Sequence, residues 1–308
     1  LTHTWRILVA DGMTDDALAR LRQEAEVLQA GLESVSGIDA LIVRGRSRVT
    51  ADVLAAGQPR LHIVGRAGVG LDNIDLQAAA RLGMVVVHAP LAATISVAEH
   101  CLALMLALAR RIPAADAALR RGEWSKGEAE GTELFDKTLG LVGYGRIGRA
   151  LGQRAAALGM HLLAFDPLLT PQAFREAGAS PATLPELLKE SDYISLHLPL
   201  DPSTRGLIGT AELARIKPGA RLVNTSRGGV VDETALLHAL ETGRLAGAAL
   251  DVFESEPPGL TPLVTHPAVI VTPHIAAQTA EAQSRASADI AAEVLAALRG
   301  DPLRWRVV

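Results

Sequence analysis

Three polar residues late in this 308-residue chain stand at the ends of apolar, strand-like runs. They are Arg227 in Val223-Asn224-Thr225-Ser226-Arg227-Gly228-Gly229, Glu256 in Asp251-Val252-Phe253-Glu254-Ser255-Glu256-Pro257, and His274 in Thr272-Pro273-His274-Ile275. An arginine offers a planar fork of donors that fits a carboxylate or a developing oxyanion. A histidine changes charge near neutral pH, and a carboxylate beside it stabilises the protonated ring. Taken singly, each has a plainer reading: a solvated arginine, a turn glutamate before two prolines, a core histidine. Their shared placement changes the balance, because doubly wound sheets bind ligands outside the carboxyl ends of their strands.

A glycine fingerprint precedes the three, at Gly143-Tyr144-Gly145-Arg146-Ile147-Gly148. Alone it is weak, but a strand-like run leads into it and a helical run follows. In that setting Gly143 allows a tight turn, Gly145 lets backbone approach a pyrophosphate, and Gly148 lets helix and strand pack closely. The helix start then holds the phosphates. Asp166 ends the next strand-like run, where a carboxylate accepts from the adenosine ribose and repels a 2′-phosphate; this points to NAD over NADP. With a nicotinamide to move hydride, the three residues take roles on a 2-oxo acid. Arg227 holds the carbonyl oxygen or its neighbouring carboxylate, His274 gives the proton, and Glu256 stabilises the imidazolium. Asp251 is read as an acceptor for the nicotinamide carboxamide, and His197 as lining the cofactor pocket.

The elements that must position these groups alternate along the whole chain. Strands are expected at 6–10, 40–43, 61–64, 84–87, 138–142, 161–165, 193–198, 221–224, 246–252 and 269–272. Helices are expected at 15–25, 51–56, 76–82, 96–111, 146–158, 184–189, 211–216, 234–240 and 280–298. This rhythm gives parallel sheets covered by helices. The expected fold is α/β, with two interleaved doubly wound domains. Residues 1–91 with 280–308 form a substrate-binding domain, and 92–279 a larger Rossmann NAD-binding domain.

Hydrophobic content of 49% and charged content of 21% are those of an ordinary soluble globular protein. A net charge of −4 argues against nucleic-acid binding. Cys101 is the single cysteine, so no internal disulfide forms and a reducing, cytoplasmic compartment is expected. Leu1–Ala10 does not resemble a signal peptide. The apolar stretch at 101–109 is too short to span a bilayer and reads as a buried or interface helix. No metal is expected.

These residues, at this spacing, resemble the D-isomer-specific 2-hydroxyacid dehydrogenase family over nearly the whole chain. Within it the branch acting on 3-phosphoglycerate is nearest, through Val64-Gly65-Arg66-Ala67-Gly68-Val69-Gly70-Leu71-Asp72-Asn73, Gly131-Thr132-Glu133-Leu134 and Ala248-Ala249-Leu250-Asp251-Val252-Phe253. The resemblance implies Arg227, Glu256 and His274 as the catalytic set. It implies cofactor contacts at Arg146, Ile147, Asp166, Leu198, Thr225, Ser226 and Asp251. It implies substrate-carboxylate donors from the backbone of Gly68, Val69 and Gly70, and a homodimer packed through the nucleotide domain. Three departures stand out. Leu91 and Ala93 replace a polar Asn-x-Asn pattern. Ala276-Ala277 replaces a glycine pair, still small enough for close approach to nicotinamide at Ala277. The sequence stops at Val308, where longer members continue into regulatory domains, so serine feedback through such domains is not expected.

A phosphorylated substrate needs cations. Arg44, Arg46 and Arg66 match basic positions of the phosphoglycerate enzymes, and Lys126 is a further candidate. The expected reaction interconverts 3-phosphoglycerate and 3-phosphohydroxypyruvate in serine biosynthesis. The alternatives are reduction of hydroxypyruvate, glyoxylate or another small 2-oxo acid, and, more remotely, an NAD(H)-sensing corepressor without enzymatic activity. A formate dehydrogenase of this fold expects glutamine where Glu256 stands.

Overall fold

The computed structural model describes residues 4–124 and 126–308. Leu1–His3, the start of the segment read above for a leader, lie outside the described residues. The chain divides into two units, Leu1–Ala93 with Ala277–Val308, and Thr94–Ala276.

Unit 1 begins β1 (Trp5–Val9), α1 (Asp15–Arg22), β2 (Ala25–Gln29), β3 (Ala40–Val43) and α2 (Ala51–Ala56). It continues with β4 (Ile63–Arg66), α3 (Leu76–Arg81) and β5 (Val85–His88). The strands are parallel, in the order β2-β1-β3-β4-β5. Ala40–Val43 is buried throughout. A continuous apolar run of that kind is the mark of a parallel strand covered on both faces. The helix expected over 15–25 stops at Arg22, and β2 follows. Ala, Glu, Leu and Gln all favour helix locally, and pairing with β1 outweighs that preference. The strand expected at 61–64 is shifted to Ile63–Arg66, with Leu61 instead closing a turn on the Gly57 carbonyl.

Unit 2 opens with α4 (Thr94–Arg110) and α5 (Ile112–Arg120). α4 answers the helix expected over 96–111; α5 is a further, unexpected helix, set off by Arg111 in the left-handed region at φ 52° and with Pro113 in its first turn. Then follow β6 (Thr138–Val142), α6 (Arg146–Ala157), β7 (His161–Phe165), α7 (Pro171–Glu176), β8 (Ser180–Pro181), α8 (Leu184–Glu190) and β9 (Tyr193–Leu196). The unit ends with α9 (Thr210–Arg215), β10 (Ala220–Asn224), α10 (Glu233–Glu241), β11 (Leu245–Leu250), α11 (Pro262–Thr265) and β12 (Val269–Val271). All strands are parallel, in the order β12-β11-β10-β9-β6-β7-β8. Val142, Ile194, Leu196, Leu222, Leu236 and Ala248 are fully buried in one cluster beneath α8, α9 and α10. Each large aliphatic side chain among them contributes about 1.5–3 kcal/mol on burial.

The last helix, α12 (Ala280–Arg299), belongs to unit 1. Thr279 caps its start by accepting from the Ala282 N–H, and Gly300 ends it at φ 76°. Gly65 in β4 lets it sit close: a Cβ there would stand 2.6 Å from a Val294 methyl. Buried Glu293 accepts from the Arg304 and Trp305 backbone N–H groups at 3.0 and 3.1 Å. The final residues then run antiparallel to β5, with Val307 N–H donating to the Val86 carbonyl at 2.8 Å. Among the described residues no helix is long and apolar enough to cross a membrane, and no three His, Cys, Asp or Glu side chains are grouped to hold a metal ion.

Candidate active site

The loops after β10, β11 and β12, three neighbouring strands, carry Arg227, Glu256 and His274. After β10 the chain turns on Asn224. Its side-chain oxygen accepts from the Ser226 N–H (3.0 Å) and hydroxyl (2.7 Å), and its amide donates to the Arg227 carbonyl (3.0 Å). Arg227, half-buried, donates one Nη1 bond to the Ser226 carbonyl at 2.7 Å, which ties the guanidinium to its own turn. Gly228 packs backbone to backbone on the next loop; a Cβ there would lie 1.8 Å from the Phe253 carbonyl oxygen. No side chain fits, so glycine at 228 brings the Arg227 turn against the loop that holds Glu256.

β11 and β12, expected to reach Val252 and Thr272, end at Leu250 and Val271. The next residue of each strand turns its side chain to the other. Asp251, fully buried, accepts the Thr272 hydroxyl at 2.5 Å and the Ile275 and Ala276 N–H groups at 2.8 Å each. Its two oxygens thus hold the loop that bears His274. From α4, His100 Nε2 lies 3.2 Å from the Thr272 hydroxyl oxygen. Since that hydroxyl gives its hydrogen to Asp251, Nε2–H of His100 is the donor. His274 itself sits at φ 54°, with Nδ1 2.7 Å from Glu256 Oε2. Glu256 Oε1 accepts the Phe253 N–H at 3.2 Å. A carboxylate only accepts, so Nδ1 carries the hydrogen and Nε2 is left for a substrate. With 51% of its side chain exposed, the ring is reachable from solvent.

The glycine loop lies between β6 and α6. β6 and β9 are neighbours whose connections leave in opposite directions, the switch point where such sheets bind ligands. Gly143 is at φ 90°, and a Cβ on it would come within 2.6 Å of the His197 carbonyl; one on Gly148 would come within 2.4 Å of the Gly143 carbonyl. Gly145, the N-cap of α6, has nothing within 4 Å on that side, an open approach to the backbone. Arg146 and Ile147 begin a first turn without acidic residues, so no carboxylate of the helix itself competes for its unpaired N–H groups and dipole. Asp166 Oδ2 accepts from the Tyr144 N–H at 3.0 Å, which places a carboxylate at the loop. These features fit a dinucleotide. Leu198 lines the same loop: its Cδ2 is 3.0 Å from where a Gly143 Cβ would be. Burial pushes His197 down to about 4, so its ring is neutral, and its enclosed Nε2 has no partner among the described residues. The Thr225 hydroxyl lies 3.0 Å from Cys101 Sγ. Burial pushes that thiol up to about 11, which leaves it uncharged.

In unit 1, the expected substrate residues fall at the end of β4 and on the loops after β3 and β4. The Arg66 guanidinium lies on Gly68, where a Cβ would overlap Nη1, and its Nη2 is 3.7 Å from a Cβ position on Gly45. The Arg66 side chain, from the end of β4, therefore reaches the loop that carries Arg44 and exposed Arg46. The Val69 carbonyl holds His88 Nδ1 at 3.1 Å, which steadies the Gly68–Gly70 turn. Leu91 is exposed and Ala93 buried. Ala277 opens the second segment of unit 1, its carbonyl accepting from Gln283 at 3.2 Å. Lys126 stands in a short helical turn of unit 2. Sequence reasoning passes over Asn224 and His100. Asn224 has a signal, an Asn closing a strand two residues before a serine. His100 has none, since 172 residues separate it from Thr272.

Comparison with known proteins agrees with this geometry. The model of the D-isomer specific 2-hydroxyacid dehydrogenase NAD-binding domain matches residues 102–276. The D-3-phosphoglycerate dehydrogenase of Mycobacterium tuberculosis H37Rv is 47% identical over 302 residues, 96% of this chain and 57% of that protein. This chain thus spans little more than half the length of that relative. The crystal structure of the TT0316 protein from Thermus thermophilus superposes with TM-score 0.91 at 37% identity, covering 98% of this chain and all (100%) of that one. A D-lactate dehydrogenase from Aquifex aeolicus, solved with NAD and lactic acid, superposes with TM-score 0.84 at 30% identity, covering 96% of each chain. Unit 2 is thus the NAD-binding domain of the matched family. By its sequence, by both of its sheets and by the loops that close β10, β11 and β12, the chain belongs to the D-isomer specific 2-hydroxyacid dehydrogenase family.

Proposed function

We propose that this protein interconverts 3-phosphoglycerate and 3-phosphohydroxypyruvate, the oxidation that opens serine biosynthesis. The observation that carries the reaction type is the His274–Glu256 contact of 2.7 Å beside the Arg227 turn. Bound NAD supplies the hydride acceptor or donor. Arg227 binds the carboxylate and polarises the neighbouring carbonyl of the 2-oxo acid. In the reducing direction His274 Nε2 gives its proton to the oxygen that becomes the hydroxyl, and Glu256 Oε2 stabilises the ring while it is charged. In the oxidising direction the neutral ring takes that proton back. Gly143, Gly145 and Gly148 with Arg146 and Ile147 hold the cofactor phosphates, Asp166 its ribose, and Leu198, Thr225, Ser226, Asp251 and Ala277 the remainder. The backbone at Gly68, Val69 and Gly70 donates to the substrate carboxylate.

The substrate follows from Arg44 and Arg46 on the loop after β3, with the Arg66 guanidinium beside that loop, and from the name of the mycobacterial relative. Guanidinium forks suit phosphate oxygens. An unphosphorylated acid, hydroxypyruvate or glyoxylate, is the second reading; exposed Leu91 favours it. The test is NADH consumption with phosphohydroxypyruvate, hydroxypyruvate, glyoxylate and 2-oxoglutarate. The first should be preferred by kcat/KM. No turnover with any of them overturns the enzyme reading. We also infer a homodimer built on unit 2, where Ile112, Leu119, Trp124 and Phe135 are more than half exposed, at 53, 58, 82 and 68%.

A further inference from the structure

Unit 1 has its own switch point. In the order β2-β1-β3-β4-β5, β1 and β3 are neighbours, and the loops leaving them carry Asp11 and Arg44–Ser47. Asp11 is half enclosed between these loops, and its oxygens go to backbone and hydroxyl donors. Oδ2 accepts the Arg44 N–H at 2.7 Å and the Ser47 N–H at 3.1 Å, and Oδ1 accepts the Ser47 hydroxyl at 2.6 Å. Asn73 holds the same segment through its other polar groups: Nδ2 donates to the Arg44 carbonyl at 2.8 Å and the Ser47 carbonyl at 2.7 Å. Two side chains thus fix both ends of a four-residue loop, by its N–H groups and by its carbonyls. The loop carries Arg44 and Arg46, with Arg48 following and the Arg66 guanidinium beside Gly45. Like charges gathered so closely repel, and an untethered loop would spread them. Among the described residues the Arg44 and Arg46 guanidiniums make no hydrogen bond or ion pair, although Arg44 is half-buried and burial lowers its pKa. Burial would raise the Asp11 carboxyl, yet the Ser47 hydroxyl and N–H, the Arg44 N–H and the charge of Arg46 bring it below its ordinary value. It is ionised at neutral pH.

We propose that Asp11 is a positioning residue for phosphate recognition: it shapes the Arg44–Ser47 loop, with Asn73, so that Arg44 and Arg46 are presented together to a phosphorylated substrate. The inference rests on the phosphoglycerate reading above. Asp11 touches no reacting atom, so its effect falls on affinity for one substrate class and not on proton or hydride transfer. The test compares phosphohydroxypyruvate and hydroxypyruvate as substrates of wild type, Asp11→Ala and Ser47→Ala, with NADH. Loss of hydrogen bonds to a charged acceptor predicts that Asp11→Ala raises KM for phosphohydroxypyruvate by about 10–100-fold. Ser47→Ala, a milder change that keeps the fold should Asp11→Ala lose it, raises that KM by a smaller factor. In both, kcat and the KM for hydroxypyruvate stay near wild type. A wild-type enzyme with no preference between the substrates overturns the phosphate reading and this inference with it. A wild-type preference that survives unchanged in the variants overturns the inference alone, as does an equal loss on both substrates.

Discussion

The proton on one ring nitrogen governs turnover in the proposed reaction. Glu256 fixes it: the carboxylate accepts from His274 Nδ1 at 2.7 Å and is itself held by the Phe253 N–H at 3.2 Å. Nε2 must then do the proton transfer. His274→Ala is expected to lower kcat by about 10²–10⁴-fold, with NADH binding retained in a fluorescence titration. Glu256→Gln keeps a hydrogen-bond acceptor but removes the charge, so its loss should be smaller. Unchanged turnover in His274→Ala sinks the assigned role. The pair is legible in the sequence because a carboxylate and an imidazole both close strand-like runs. The support beneath it is not. Sequence alone points Asp251 toward the cofactor and gives no sign that its two oxygens also hold Thr272, Ile275 and Ala276. The bond from His100 joins residues far apart in the chain, and no local pattern announces such a contact.

Loops between strand and helix divide into those that need glycine for packing and those that need it for a ligand. Gly228 is the first kind, with the Phe253 carbonyl 1.8 Å from any Cβ, and Gly145 the second, with nothing within 4 Å. Gly228→Ala forces backbone apart and should cost on the order of 1–3 kcal/mol, lowering Tm by several degrees in calorimetry along with activity. Gly145→Ala should leave stability within about 1 kcal/mol yet weaken NADH binding. A Gly228→Ala protein as stable as wild type would contradict the packing argument. Strand and helix order can be read because buried parallel strands are unbroken apolar runs, as at Ala40–Val43 and Leu139–Val142. β2 escapes because an edge strand is half wet and its residues favour helix. The strand ends at Leu250 and Val271 escape because side chains on two strands, Asp251 and Thr272, decide them together.

For the molecule as a whole, the open question is how many chains act together. A stable homodimer buries roughly 1,600 Å² or more, and exposed Leu119, Trp124 and Phe135 provide apolar area on unit 2. Sedimentation should give twice the 32.3 kDa chain mass, and a Leu119→Asp, Trp124→Asp double variant should sediment as a monomer. A wild-type protein of monomer mass overturns the dimer. Unit 1 has a different relation to its neighbours, set by the antiparallel segment that Glu293 fastens beside β5. An open strand edge is a template on which a stray chain can polymerise. On the β5 side that template is already filled by the protein's own backbone, through Val307 and Trp305. The opposite edge of this sheet is β2, where the ion pair of Arg6 and Glu26 charges the rim against such pairing.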